Sequence, residues 1–417
     1  MSICVNALDS STNISKKRIP EIDYIKGFCI LAMILVHCYE EFYDGPDSAS
    51  SALFVDALEL AVGASAFMFC MGFTMDLKRE KTALECVQRG CIIFMAGMIL
   101  NFLRSPLLLC FHFITDDPDT VFVSMIDVLA VDILPFAGLA FMFMALLKKC
   151  KLNPWAIFIV SLAIGGIGTA LRYTDVGNPV LNALLGFIIG TNAESYFPLV
   201  HWFVFMAAGN LYRVYYTKVE DKKAYYTKAL PIAAAVSALF IFLSYKEIGP
   251  FQVLAAGESI YFTWMNPCDA LGSIACIITY MGVMWLLSEI VEKIQPKVRP
   301  LSYLAENLTT LYFIHWILIM ILEIVFLEGF ELIPWPETDI AIYMYAIGFL
   351  FITILICEFF KKHLREKFMG SIQKNYIVWA VATVVLVTIC VILSATHGLT
   401  EVPSFLNDYT VNGVEYI

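Results

Sequence analysis

Lys26 and His37 stand eleven residues apart in the stretch RIPEIDYIKGFCILAMILVHCYEEFYD, from Arg18 to Asp44. At ~100° per residue, that spacing brings a helix back to the same face within about 20°, three turns and roughly 16 Å further along. One stripe of a single helix therefore carries a cation near one end and an imidazole near the other. Ile30 and Met33 lie between them on that stripe, and Glu40 and Glu41 follow a turn beyond the histidine. A lysine inside an apolar segment costs ~2.5 to 3.5 kcal/mol, so it faces protein or water unless it snorkels to the headgroups. An imidazole titrates near neutrality; it can take a proton from a hydroxyl or an amine, or serve only as an interfacial hydrogen-bonder.

Further residues of the same kind recur along the chain. Asp56 and Glu59 sit at i, i+3 in a second apolar segment, and Asn101 and Arg104 share a face in NFLRSP. Asp127 and Asp132 fall about 140° apart on a helix, so they reach one small site only through a local distortion, expected near Pro135. His201 follows Pro198 at the head of an apolar segment, and Tyr312 precedes His315 by one turn near the middle of another. A polar chamber open to one side of a bundle would satisfy His37, Asp56, Glu59, Arg104, Asp127, Asp132, His201 and His315 together.

The elements that must hold these residues are membrane helices. Of the 417 residues 60% are hydrophobic and 15% charged, and the mean hydropathy is +0.76, outside the ~45 to 50% apolar range of soluble domains. Apolar runs long enough to span ~30 Å recur near 22–43, 51–75, 87–108, 124–147, 154–172, 196–216, 228–245, 267–290, 304–327, 339–360 and 376–395. The fold class is all-α, a polytopic integral membrane helical bundle of about eleven transmembrane helices. Residues 177–203 hold an apolar stretch too short to span, expected to be re-entrant or interfacial on the outer side. The first run is too long for a signal-peptide core and is expected to stay as an anchor.

With the N-terminus inside, alternate loops carry about 23 of the 27 Lys and Arg, against Arg104, Arg172 and Lys246 near the other face. This is a positive-inside pattern that puts the C-terminus outside. The net charge of -10 is then displayed mainly outward. Residues 1–15 are expected to be a disordered cytoplasmic N-terminus, 16–396 one membrane domain and 397–417 a short extracytoplasmic tail. The twelve cysteines show no CxxC spacing and read as packing residues, and no set of residues has metal-ligand spacing. The basic residues form short juxtamembrane loops rather than a groove interleaved with aromatics, which argues against nucleic-acid binding.

RIPEIDYIKGFCILAMILVHCY resembles the opening of the transmembrane acyltransferase superfamily, comprising the acyltransferase-3 proteins and the heparan-alpha-glucosaminide N-acetyltransferase-like proteins. AFMFCMGFTM, NFLRSP, YFPLVHWFVFMAAGNLYR and LAENLTTLYFIHW extend the resemblance over most of the chain. In the acyltransferase-3 group an Arg, ten residues and a His mark the first helix. Here Lys26 replaces the Arg, losing its bidentate fork of donors, and Asn101 stands where that group has the first of two arginines.

The resemblance implies transfer of an acyl group, commonly acetyl from acetyl-CoA or another acyl-CoA, to a hydroxyl or amine of a cell-surface glycan or lipid-linked acceptor, at the plasma membrane and with no tightly bound cofactor. The catalytic candidates are His37, as base or as the carrier of a covalent acyl-histidine intermediate, and Asp127. Candidate substrate- or donor-binding residues are Lys26, Arg104, Asn101, Glu59, His201, Tyr312 and His315. The competing class is a proton-coupled secondary transporter, since intramembrane carboxylates and histidines also build proton relays; it lacks the support of an internal repeat or of matched broken helices.

Overall fold

The computed structural model describes residues 19–43, 63–104, 127–191, 194–254, 263–294, 300–322, 335–364, 375–396, 409–411 and 414–416. The bundle opens with α1 (Pro20–Phe42), which has proline at its first position and Glu21 and Asp23 in the first turn, where the helix dipole favours acids. α2 (Ala64–Met75) and α3 (Ala83–Arg104) follow. A single 3-10 turn (Asp127–Leu129) then leads into α4 (Ile133–Lys149), with Asp132 as its N-cap.

Next come α5 (Pro154–Leu171), the short α6 (Pro179–Gly186), α7 (Leu199–Tyr216) and α8 (Lys222–Tyr245). Asn153, Asn178 and Asp221 cap α5, α6 and α8 through their side-chain oxygens. α9 (Pro267–Ile294), α10 (Pro300–Glu306), α11 (Leu308–Ile321), α12 (Asp339–His363) and α13 (Tyr376–Thr396) complete the helical part. Outside it lies one antiparallel pair of short strands, β1 (Tyr409–Val411) with β2 (Val414–Tyr416).

Among the described residues six helices are long and apolar enough to cross a membrane: α1, α3, α5, α8, α9 up to Val291, and α12. Ala64–Met75, Leu308–Ile321 and Ile377–Ile392 are shorter apolar helices. The outward residues of α8, α12 and α13 are large and apolar, among them Leu239, Phe242, Met344, Phe351, Val381 and Val384. Such contiguous apolar faces suit hydrocarbon and not water. The chain is a multi-pass membrane protein.

Within the described residues each of the eleven apolar segments contains helix, with two corrections. The segment expected over 124–147 is broken, and its helix begins only at Ile133. The segment expected over 304–327 is divided at Asn307, whose Nδ2 donates to the Tyr303 carbonyl at 2.8 Å. The stretch within 177–203 forms the short α6 and then turns back along the start of α4 and α7, with Val131 N donating to Glu194 O at 2.8 Å and Phe197 N to Val131 O at 3.0 Å.

Contacts sort the helix ends into two groups. At one end Lys222 Nζ pairs with Glu21 at 2.6 Å, Tyr216 Oη donates to the same carboxylate, and Lys148 pairs with Asp76 at 2.7 Å. At the other, Trp202 Nε1 donates to Thr263 O at 2.7 Å and Trp264 Nε1 to Ser195 O at 2.9 Å. α2 and α7 approach so closely that a Cβ at Gly72 would collide with the Met206 carbonyl, and one at Gly209 with the Phe69 carbonyl. Small residues at such crossings let two backbones meet in lipid, where apolar burial does not drive association. Phe69, Phe73, Trp202, Phe203 and Phe205 fill the core beside this contact.

Candidate active site

α1 runs along one partly open cavity of about 790 Å³ and lines it from Lys26 through Cys29, Ile30, Met33 and His37 to Glu40 and Glu41. The stripe expected from the eleven-residue spacing is therefore the wall of a single chamber. At the Lys26 end Thr74 and Arg89 join the lining. Lys26 Nζ donates to Thr74 Oγ1 at 3.4 Å, and the Arg89 guanidinium lies over the Phe141 ring at 4.6 Å. Arg89 stands in the second turn of α3 and belongs to this cationic end. Ile93, Phe67, Met71 and Ala137 make the middle apolar.

The His37 end is polar. His37 Nδ1 lies 2.9 Å from His315 Nε2. Its ring packs on Trp316 with centroids 4.4 Å apart, and the Arg104 guanidinium lies 4.5 Å over that same indole. Arg104 Nη1 stands 3.5 Å from Asp132 Oδ2, and Tyr312 Oη donates to that oxygen at 2.6 Å. Asp132 Oδ1 accepts from Ile133 N at 2.6 Å, so one carboxylate caps α4 and holds a cation and a phenol. Asp127 and Tyr196 also line this end.

Asp127 and Asp132 reach the same cavity despite the 140° that a continuous helix would put between them. The distortion lies at residues 130–132, ahead of the helix, and not at Pro135, which sits harmlessly in its first turn. Glu194 follows α6 in the adjoining loop. Burial, with the neighbouring Asp127 carboxylate adding to it, raises its pKa to about 7 against the opposing pull of Arg104.

Lys26, His37, Arg104, Asp127 and Tyr312 line the cavity, whereas His315 stands behind His37, fully buried. Asn101 and His201 are not brought to it. Asn101 Nδ2 is turned into the packing, donating to Val128 O at 3.2 Å and Ala130 O at 2.8 Å. His201 is buried against α5 beside Gly168, with Nδ1 bonded to Met265 O at 3.0 Å. Asp56 and Glu59 lie outside the described residues. Among the described residues no group of three His, Cys, Asp or Glu could hold a metal ion.

Sequence reasoning missed Trp316, Thr74 and Arg89 as cavity residues. Trp316 had a local signal, since it adjoins His315 and lies four residues after Tyr312 on one helix face.

The fold and cavity together define a class: a multi-pass helical membrane protein enclosing a chamber that is cationic at one end and carries imidazole, guanidinium and carboxylate at the other. A family model for the heparan-alpha-glucosaminide N-acetyltransferase catalytic domain matches residues 18–246, more than half of the chain. The chain belongs to that family, a transmembrane acyltransferase family whose donor is acetyl-CoA. The match includes Lys26, His37, Arg104, Asp127 and Asp132, while Tyr312, His315 and Trp316 are added from beyond it by the fold. A comparison with curated proteins returns no match.

Proposed function

We propose that the protein moves an acyl group, acetyl in the first instance, from acyl-CoA at the cytoplasmic side to a hydroxyl or amine of a glycan or lipid-linked acceptor at the outer side of the plasma membrane. Eleven spans with the N-terminus inside place Lys26 near the inner boundary and His37 in the outer half. The observation that carries this reading is the single cavity lined by Lys26, Thr74 and Arg89 at one end and by His37, Arg104 and Asp127 at the other. Lys26 and Arg89 supply positive potential for the donor's phosphates, and the apolar middle suits its thioester-bearing arm.

His37 takes the proton from the acceptor hydroxyl or amine as its oxygen or nitrogen attacks the thioester carbonyl carbon. The new C–O or C–N bond forms, the C–S bond breaks, and the imidazolium returns the proton to the departing thiolate, so CoA leaves as the free thiol. Arg104, held by Asp132 and spread over Trp316, faces the charge that develops on the carbonyl oxygen. Asp127 accepts a hydrogen bond from the incoming acceptor. A thioester needs little activation, so a base, an oxyanion partner and exclusion of water are sufficient.

The test is acetyl-CoA turnover by purified protein in nanodiscs, with mass spectrometry of surface glycans and lipids from cells with and without the protein. A gain of one acyl mass on one acceptor is expected. His37→Ala and His37→Gln should each lose ~10²- to 10⁴-fold in rate while the protein remains folded, as for loss of a general base. Turnover kept above about a tenth of wild type in either variant would remove His37 from this role.

A further inference from the structure

The contact behind His37 says which of its nitrogens is free to act. His315 Nδ1 lies 3.3 Å from the carbonyl of Leu311, one turn earlier on α11. A carbonyl can only accept, so Nδ1 of His315 carries the hydrogen, and in a neutral ring Nε2 then holds the lone pair. That lone pair faces His37 Nδ1 at 2.9 Å. His37 must therefore donate from Nδ1, which leaves Nε2, the nitrogen not engaged with His315, as the acceptor.

We propose that His315 is a positioning residue that fixes the proton-accepting tautomer and the orientation of His37. The proposal rests on the reading of His37 as base, since a fixed tautomer matters only if the other nitrogen takes a proton. Free imidazole exchanges between its two tautomers, and a base held in the wrong one presents N–H to the acceptor instead of a lone pair. Where the orienting partner of a catalytic histidine has been replaced so that the tautomer is wrong, the loss is about 10⁴-fold in kcat. His315 lies at 0% exposure behind His37, outside the lining of the cavity, so it touches neither donor nor acceptor. Its position is set independently of any ligand: Tyr312 on the same helix is tied to Asp132, and the His315 ring packs on Tyr312 and Trp316 with centroids 5.2 and 5.3 Å away.

The arrangement also suits the intermediate. When His37 Nε2 gains the acceptor's proton, the resulting imidazolium keeps its Nδ1–H aimed at a neutral lone pair, a charge-assisted bond that strengthens at the moment charge appears. No proton has to cross to His315 for this to work. The acceptor's proton is taken at Nε2 and given back from Nε2.

Two substitutions and one spectroscopic measurement test the proposal. His315→Phe keeps a ring of similar size and removes the acceptor; kcat should fall by about 10²-fold or more, with the KM for acetyl-CoA within about twofold. His315→Gln places an amide oxygen near the position of Nε2 and should recover kcat to within about tenfold of wild type, because an acceptor for the Nδ1–H of His37 is restored. Nitrogen-15 NMR of histidine-labelled wild-type protein, with His37 assigned by its loss in His37→Ala, should show His37 protonated at Nδ1 alone. In His315→Phe that signature should give way to exchange between tautomers.

The wild-type spectrum stands even if His315→Phe fails to fold. A His37 protonated at Nε2 in wild type overturns the proposal, as does His315→Gln that folds and is no more active than His315→Phe. Either result leaves the base reading intact if His37→Ala is inactive. Turnover retained in His37→Ala overturns the base reading itself and takes the proposal with it, whatever the tautomer.

Discussion

Asp132 and Arg104 offer the sharpest test of how the His37 end of the cavity is held. Their charged atoms are 3.5 Å apart, which at an effective dielectric near 20 corresponds to roughly 5 kcal/mol of gross attraction, before the desolvation that offsets it. Side-chain exposures of 12% for Asp132 and 23% for Arg104 take the pair out of the surface class, whose members contribute ~0.2 to 1 kcal/mol. Asp132→Asn removes the charge and keeps the cap on α4 through its one amide oxygen, while its NH2 replaces the oxygen that accepts from Tyr312 Oη and donates to the phenol oxygen instead. Each single variant, Asp132→Asn or Arg104→Met, should destabilise by ~2 to 4 kcal/mol, because the surviving charge is left without its partner in a partly buried site.

The double variant has no stranded charge and should fall short of the sum by ~1.5 to 3 kcal/mol, within the range measured for residues in one network. The assay is reversible unfolding of the purified protein in mixed micelles, followed by tryptophan fluorescence. Coupling below ~0.5 kcal/mol would refute the reasoning, since the two residues would then behave as a solvated pair.

Gly209→Ala drives a methyl into the Phe69 carbonyl, which is backbone and cannot step aside; a stability loss of ~1 to 3 kcal/mol or more, read as a lower melting temperature, is expected. Lys26→Ala should raise the KM for acetyl-CoA about tenfold with kcat little changed, and should weaken its salt dependence; an unchanged KM at low salt would return Lys26 to a snorkelling role. Glu194 has its folded-state pKa raised from 4.5 to about 7 by burial and by Asp127, so its contribution is fully present below pH 4.5 and lost as the pH rises towards 7. Stability should decline across that window in wild type and stay flat in Glu194→Gln, which a pH series of melting temperatures will show.

The parts of the fold legible in the sequence are those that depend on local pattern. Apolar run length marked the helices because lipid demands internal satisfaction of every backbone bond over about 20 residues. The Lys26 to His37 stripe was legible because helical periodicity alone puts both on one wall. That Asn101 and His201 turn away from the cavity was not legible, for the opposite reason. Both fall on helices at heights where other polar residues meet the cavity, and the 3.6-residue period does not say which way a polar residue turns when a neighbouring backbone needs it. The partner of Asn101 is a pair of carbonyls at residues 128 and 130, and that of His201 is Met265, 64 positions away. Neither leaves a mark in nearby sequence.

The break before α4 ties these observations together. An interrupted helix in a membrane exposes carbonyls and amides that nothing in hydrocarbon can satisfy, so it persists only where protein supplies the partners. Here the partners are identifiable: Asn101 takes the Val128 and Ala130 carbonyls, Glu194 O and Phe197 N bracket Val131, and Asp132 Oδ1 accepts from Ile133 N. The consequence for chemistry is geometric. An unbroken helix would hold Asp127 and Asp132 on different faces, and only one could look into the chamber; the break lets both line the end where His37 stands. Asn101 thus acts on the site through the backbone it holds. An apolar residue there would strand two carbonyls at about 1 to 3 kcal/mol each and loosen the turn that carries Asp127 and sets Asp132 against Arg104.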